Sequence, residues 1–315
     1  MFVAYNCPPA LPGQQPAHIS KIQTNGKFNF MATENHGIKF AVIGRAGVIT
    51  LDRPESLNAV TDVMVREISH HLDAWENDVA VERIIIKATG ERAFSAGGDI
   101  RHLYDCGIAG NYDFGFFAAE YALNARIYAF PKPYIALING IVMGGGVGVS
   151  FHGSHRIAGK SIAFAMPEVG IGFFPDVGGS YLLSRLPGKL GLYLGLTGER
   201  MKQADCVASG LATHACDDLE ALETALCESA DLQSVLSSHC HSCNAGPQMQ
   251  NLGSIDDAFS GGDVLDVVSR LESMEAGSAG EWAGKTRASI LSKSPTSLEV
   301  AFRQISRGAG LTLSE

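Results

Sequence analysis

From Tyr134 to Phe151 the chain reads YIALINGIVMGGGVGVSF, eighteen consecutive residues without a charge. A run that apolar has to be buried, and a bilayer-spanning helix would need about 20 such residues. Asn139 and five glycines, at 140, 144, 145, 146 and 148, break this one into a short apolar run, a flexible loop and a second apolar run. The segment therefore predicts a buried strand, a turn and a buried helix rather than a membrane span. The rest of the chain agrees. At 46% apolar and 18% charged over 315 residues, it is too apolar for a disordered tail and too charged for a multi-span membrane protein. It is also long enough to bury a core without disulfide staples.

Charge and cysteine usage narrow the partners. Lys and Arg number 24 against 33 Asp and Glu, a net charge of −9 with no basic stripe, which argues against nucleic acid. Seven cysteines are odd in number and scattered, so a reducing compartment is expected. The densest donor cluster is His239-Cys240-His241-Ser242-Cys243. Its donors are too close in sequence to surround one tetrahedral ion, and paired zinc spacing is absent, so no metal is expected. Residues 1–36 predict a flexible N-terminal extension: the first 33 contain four prolines, no acid and only Lys21 and Lys27 as full positive charges. That is poor in Arg for an organellar transit peptide and lacks the apolar core of a secretory signal.

From residue 38 the pattern is regular. Residues 38–43 and 47–51 predict a strand pair, and Thr61 precedes Met64, Ile68, Leu72 and Trp75 at helical spacing. Residues 83–88 form a β-branched strand, followed by a loop over 89–98 and a helix over 112–128 that Pro131 and Pro133 stop. A strand over 135–138, a helix over 144–151 and short strands at 157–158 and 162–165 come next. Helices are predicted over 178–185, 189–196, 201–209 and 219–229, with weaker helical signals over 231–315. The fold class is α/β with a helical C-terminal region.

Two loops each follow a buried strand and enter a helix: Ala93-Phe94-Ser95-Ala96-Gly97-Gly98-Asp99-Ile100 and Asn139-Gly140-Ile141-Val142-Met143-Gly144-Gly145-Gly146-Val147-Gly148. Glycines let a ligand approach the backbone, and N–H groups at a helix start hold a negative oxygen. Facing each other, such loops would make an oxyanion hole. A phosphate loop is the rival reading, but neither loop continues into Gly-Lys-Ser/Thr. Beyond them Glu168 and Asp176 lie eight residues apart in an apolar, Gly- and Pro-rich stretch, with no Lys or Arg following until Arg185. Carboxylates so placed are candidates for tuned functional acids. Glu120, on the 112–128 helix, fits a solvated helix face equally well.

Taken together, LDRPESLNAV, AFSAGGDI, KPYIALINGIVMGGGVGVS and FAMPEVGIGFFPDVGG resemble the crotonase (enoyl-CoA hydratase/isomerase) superfamily over residues 37–230. EYALN, HGSHRIA, GFFPDVGGSYLLSRLPGKLGLYLGLTG and SPTSLEVAFRQI resemble its branch that hydrolyses 3-hydroxyisobutyryl-CoA. The resemblance implies a spiral of repeated β-β-α units over 37–230, binding an acyl-coenzyme A, with a helical C-terminal region over 231–315. By motif position the oxyanion donors would be the N–H groups of Gly98 and Gly145, and Asn58, Ala59, Ala96 and Ile100 would line the coenzyme A pocket. No cofactor is implied beyond the coenzyme A of the substrate.

One departure bears on the chemistry. Hydratases of the superfamily carry a second catalytic Glu at the position of Gly148, and glycine neither activates water nor protonates carbon. Glu168 remains, Asp176 stands where simple hydratases usually have glycine, and Glu120 matches the hydrolase branch's acyl-pocket glutamate. The implied reaction is hydrolysis of 3-hydroxyisobutyryl-CoA, with 3-hydroxypropionyl-CoA as a second substrate, a step of valine breakdown. Glu168 would attack or activate water, while Asp176 and Glu120 would contact the substrate's 3-hydroxyl. The alternatives are another crotonase-type hydratase or isomerase activity, or a silent acyl-CoA binder. The silent reading is motivated by the C-terminus: relatives usually continue past the SPTSL helix, whereas this sequence ends at Leu313-Ser314-Glu315. On the same ground residues beyond about 290 are expected to be mobile or exposed. Self-association into a homo-oligomer is left open. The expected compartment is the cytoplasm of a bacterial source, which is favoured, or the mitochondrial matrix of a eukaryotic one.

Overall fold

The computed structural model describes residues 36–110 and 114–315, and the extension expected over residues 1–36 falls outside these up to Asn35. Strands β1 (Ile38–Ile43) and β2 (Ala46–Leu51) form an antiparallel hairpin. Helix α1 (Asp62–Glu76) follows, its start held by the Thr61 hydroxyl, which accepts from the Met64 N–H at 3.2 Å. It buries Met64, Val65, Ile68, Leu72 and Trp75, the stripe expected from their spacing.

Successive turns of the chain then each place one strand in a large sheet and the next in a small one. The first supplies β3 (Arg83–Ala88) and β4 (Ala93–Ser95), with α2 (Ile100–Ile108) and α3 (Gly115–Tyr128) returning the chain. The second supplies β5 (Tyr134–Ile138) and β6 (Ile141–Met143) ahead of α4 (Gly145–Gly148), and the third β7 (His155–Ala158) and β8 (Ala163–Ala165). Helices α5 (Gly179–Leu183), α6 (Leu190–Thr197) and α7 (Gln203–Ala208) lead to β9 (His214–Ala215). The large sheet runs β1-β2-β3-β5-β7-β9, parallel after the first pair, and the small one runs β4-β6-β8, all parallel. This is a spiral of β-β-α turns. Strands β4 and β6 lie inside the two segments expected to be loops. Three-residue strands beside glycines are too short to express a period of two, and only pairing with a neighbour makes them strands. Helix α4 ends well before the expected residue 151.

The remaining helices are α8 (Leu219–Glu228), α9 (Leu232–His239), α10 (Pro247–Gln250), α11 (Leu252–Phe259), α12 (Val264–Met274), α13 (Gly280–Leu291) and α14 (Pro295–Gly308). The exposure expected beyond residue 290 does not hold for α14. The Ser294 hydroxyl caps its first turn, and Leu298, Ala301, Phe302 and Ile305 are buried in the main core, which also takes in Leu183 of α5 and Leu190 and Leu194 of α6. The apolar stripe finds its partner upstream, where sequence spacing does not point. Arg185 ties the end of α14 down by donating to the Gly308 carbonyl at 3.1 Å. Among the described residues no helix is long and apolar enough to cross a membrane. Among them, too, no three His, Cys, Asp or Glu side chains are grouped to hold a metal.

Candidate active site

The two glycine loops meet. The loop after β4 is strapped to the 57–60 turn: the Ala96 N–H donates to the Leu57 carbonyl at 3.0 Å, Val60 to Gly97 at 2.8 Å, and Asp99 to Val60 at 2.9 Å. Between them Gly97, at φ 123°, and Gly144, at φ 45°, adopt backbone that other residues resist. A Cβ on Gly145 would lie 3.1 Å from the Gly98 nitrogen, so the two segments are in contact at this point. Among the described residues neither the Gly98 nor the Gly145 N–H has an acceptor. Gly145 opens helix α4, where the first N–H groups have no intrahelical partner. Two free donors side by side are what a developing oxyanion needs.

Three carboxyl groups converge on this point. The same Cβ on Gly145 would lie 2.6 Å from Glu120 Oε1, and one on Gly144 would lie 3.3 Å from Glu168 Oε1. Glu120 is not on a solvated face. It is 2% exposed and shares the inner side of α3 with Phe116, Leu123, Asn124 and Ile127. Glu168, which opens a short 3₁₀ turn after β8, is 6% exposed. Glu120 Oε1 and Glu168 Oε2 are both buried without a hydrogen-bond partner. Burial pushes both carboxyls from the ordinary 4.5 up to about 8, with the nearby Asp176 adding repulsion. Burial raises Asp176 as well, against the opposing effect of the Tyr121 hydroxyl, which donates to Asp176 Oδ2 at 2.9 Å.

Asp176 is set by a strained turn. Val177, a β-branched residue, sits at φ 45°, a conformation that costs about 1–3 kcal/mol and persists only where its surroundings enforce it. The buried His152 enforces it: Nε2 lies 2.7 Å from the Val177 carbonyl and donates to it, while burial lowers the imidazole's pKa.

Of the expected site residues, Glu168, Asp176, Glu120, Gly98 and Gly145 come together. Ala59 and Ala96 are half-buried on the strapped loops, and Ile100 is exposed at the start of α2. Asn58 differs. Its side chain is fully buried, accepting from the Arg53 N–H at 2.8 Å and donating to the Thr89 and Ala93 carbonyls at 3.0 and 2.9 Å. That amide is committed to shaping the turn and does not line a pocket. Tyr121, Asn124 and His152 belong to the site without having been singled out. Glu120 and Asn124 are four residues apart, one helical turn, which is the signal that would have joined them. Nothing in the sequence links His152 to residue 177.

The enoyl-CoA hydratase/isomerase family model matches residues 46–315. A 3-hydroxyisobutyryl-CoA hydrolase, mitochondrial, of Danio rerio is 45% identical over 291 residues, covering 88% of this chain and 75% of its own. The Homo sapiens protein of the same name is 42% identical over 287 residues, covering 86% and 73%. Among solved structures, a carnitinyl-CoA dehydratase from Mycobacterium thermoresistibile superposes with a TM-score of 0.84 at 38% identity, over 89% of this chain and 82% of that one. An enoyl-CoA hydratase from Rhodobacter sphaeroides 2.4.1 superposes at 0.81 with 38% identity, over 88% and 81%.

Proposed function

The chain belongs to the enoyl-CoA hydratase/isomerase family, and from that premise we propose that it hydrolyses the thioester of 3-hydroxyisobutyryl-CoA, releasing the 3-hydroxy acid and coenzyme A. The observation that carries this reading is what fills the space beside Gly148. A Cβ there would lie 2.8 Å from Asn124 Nδ2 and 3.0 Å from the Val177 Cβ, so the position that bears a hydratase's second glutamate has no room for one. Of the two glutamates that a hydratase uses, only Glu168 remains, next to the glycine loop that carries the Gly145 N–H, with Glu120 and Asp176 nearby. That set suits attack on a carbonyl and not addition across a double bond.

In this reading the thioester oxygen sits between the Gly98 and Gly145 N–H groups. Glu168 either attacks the carbonyl carbon itself or takes the proton of an attacking water. In both courses the carbonyl electron pair moves onto oxygen, where the two donors stabilise it. Collapse breaks the C–S bond, and the sulfur leaves as a thiolate that takes a proton relayed by Asp176. Direct attack leaves an anhydride that water then opens. Glu120 and Asp176 contact the 3-hydroxyl. A site built to hydrogen-bond a hydroxyl rejects analogues lacking it far better than an apolar pocket does. Ala59, Ala96 and Ile100 line the coenzyme A side. The relatives named mitochondrial and the scattered cysteines fit a reducing compartment: the matrix in a eukaryote, the cytoplasm in a bacterium.

A hydratase reading rests on the names of the two superposed structures. The test takes free thiol and loss of enoyl absorbance on one preparation. Thiol release from 3-hydroxyisobutyryl-CoA is expected, with negligible hydration of crotonyl-CoA; hydration faster than thiol release would overturn the assignment.

The raised carboxyls set the pH dependence. Glu168 must be ionised to act, so kcat/KM for thiol release is expected to rise with pH along a limb near 8. Glu120 is raised to the same range, so the limb reports the two glutamates together, with Asp176 adding repulsion to both. The sign for stability is opposite. Folded pKa values near 8 lie above the ordinary 4.5, so the stabilisation is complete below about pH 4.5 and is lost as pH climbs through 8. Glu120→Gln should accordingly raise the melting temperature at pH 8 more than at pH 5. An activity limb centred near pH 4.5 would show that these carboxyls are not buried in the working enzyme.

A further inference from the structure

Asn124 is 3% exposed, and neither Oδ1 nor Nδ2 has a hydrogen-bond partner among the described residues. A primary amide offers two donors and an acceptor with two lone pairs, and native interiors rarely leave such a group unmatched. The reason lies in its position. Asn124 follows Glu120 by one turn on the buried side of α3, and its amide lies against Gly148, whose other close neighbour is the side chain of Val177, the residue after Asp176. It therefore stands one turn from Glu120, beside the turn that carries Asp176, in the space that a side chain at position 148 would otherwise fill.

We propose that Asn124 is a specificity-determining residue whose amide hydrogen-bonds the hydroxyl on the acyl chain of a 3-hydroxyacyl thioester. This rests on the acyl-CoA reading given above and adds a residue to it. A hydroxyl both donates and accepts, and an amide can answer both without adding charge. Charge matters at this spot, because Asp176 already opposes ionisation of Glu120 and Glu168. A fourth carboxylate would raise those groups further and suppress the ionised Glu168 that the reaction needs. When an acyl chain without the hydroxyl binds, the amide stays buried and unpaired, which penalises the wrong ligand rather than rewarding the right one.

The test is an equilibrium one, so that it does not depend on turnover. In a Glu168→Gln background, the affinities of 3-hydroxyisobutyryl-CoA and isobutyryl-CoA are measured by calorimetry with Asn124 intact and with Asn124→Leu. Leucine is similar in size and removes both unpaired polar atoms, so folding is expected to survive. Asn124→Ser, which keeps a hydrogen-bonding group, is the second variant. The preference for the hydroxylated ligand should fall by about 10- to 100-fold in Asn124→Leu, with isobutyryl-CoA binding as well as before or better, and Asn124→Ser should recover part of the preference. A merely structural role would weaken both ligands alike and leave their ratio unchanged, and that result overturns the proposal. Thiol release by the unsubstituted protein is scored separately. Its absence with the ratio change intact would remove the hydrolase reading and leave the assignment of Asn124, whereas failure to bind either ligand would remove both.

Discussion

Glu168→Gln is expected to slow thiol release from 3-hydroxyisobutyryl-CoA by at least ~10³-fold while changing acyl-CoA affinity little. Glutamine keeps the shape of the side chain but can neither attack a carbonyl nor accept a proton from water. No neighbouring group replaces it. Glu120 lies on the α3 side of the oxyanion hole, and Asp176 is occupied by the Tyr121 hydroxyl. Affinity should hold because Glu168 Oε2 makes no hydrogen bond that the substitution would break. Removing a buried, ionisable carboxyl should also stabilise the fold at pH 8, where ionisation opposes burial. Loss of activity together with a raised melting temperature is the combined signature, and neither misfolding nor an indirect effect produces both. A variant that keeps most of its activity would show that the central carboxylate is misassigned. A single turnover in ¹⁸O-water separates the two courses, since label entering the Glu168 carboxylate marks the anhydride.

Gly145→Ala should cost about 10²–10³ in kcat, the usual consequence of spoiling one oxyanion donor, or about 2.7–4 kcal/mol of transition-state stabilisation. Alanine retains the N–H, so the loss is one of geometry. Its methyl group would lie 2.6 Å from Glu120 Oε1 and 3.1 Å from the Gly98 nitrogen, wedging apart the donors and the carboxyl that must close around the substrate. Because the oxyanion exists only along the reaction path, the effect should fall on kcat more than on KM. Gly253→Ala, whose methyl meets nothing within 4 Å, is the control and should retain full activity. Equal activity of the two variants would mean that the oxygen of the thioester does not bind between the glycine loops.

Much of this protein was determined by local sequence. The spacing of Met64, Ile68, Leu72 and Trp75 dictates α1, because a 3.6-residue period puts those side chains on one stripe whatever they pack against. The uncharged run from 134 to 151 dictates a buried strand and a glycine-rich turn, because charge-free chain cannot remain in water and glycine cannot hold a long helix. Glu168 and Asp176 stood out as carboxylates in apolar chain, and Gly148 as a missing one, since residue type alone limits the chemistry a position can do.

Tertiary structure decided the rest. Strands β4 and β6 exist through pairing with one another and with β8, as three residues carry no usable period. Helix α14 is ordered by a core lying more than a hundred residues upstream, in α5 and α6. The burial of Glu120 could not be read from its neighbours, because a glutamate on a helix is ordinarily solvated and only the packing of α3 against the glycine loops turns it inward. The grip of His152 on the Val177 carbonyl and the unpaired amide of Asn124 are likewise products of the third dimension. A sequence shows which groups a chain can offer. Distance, desolvation and the absence of a partner arise only when separate segments meet, and those three set the pKa values, the strain and the unmet hydrogen bonds from which this site is made.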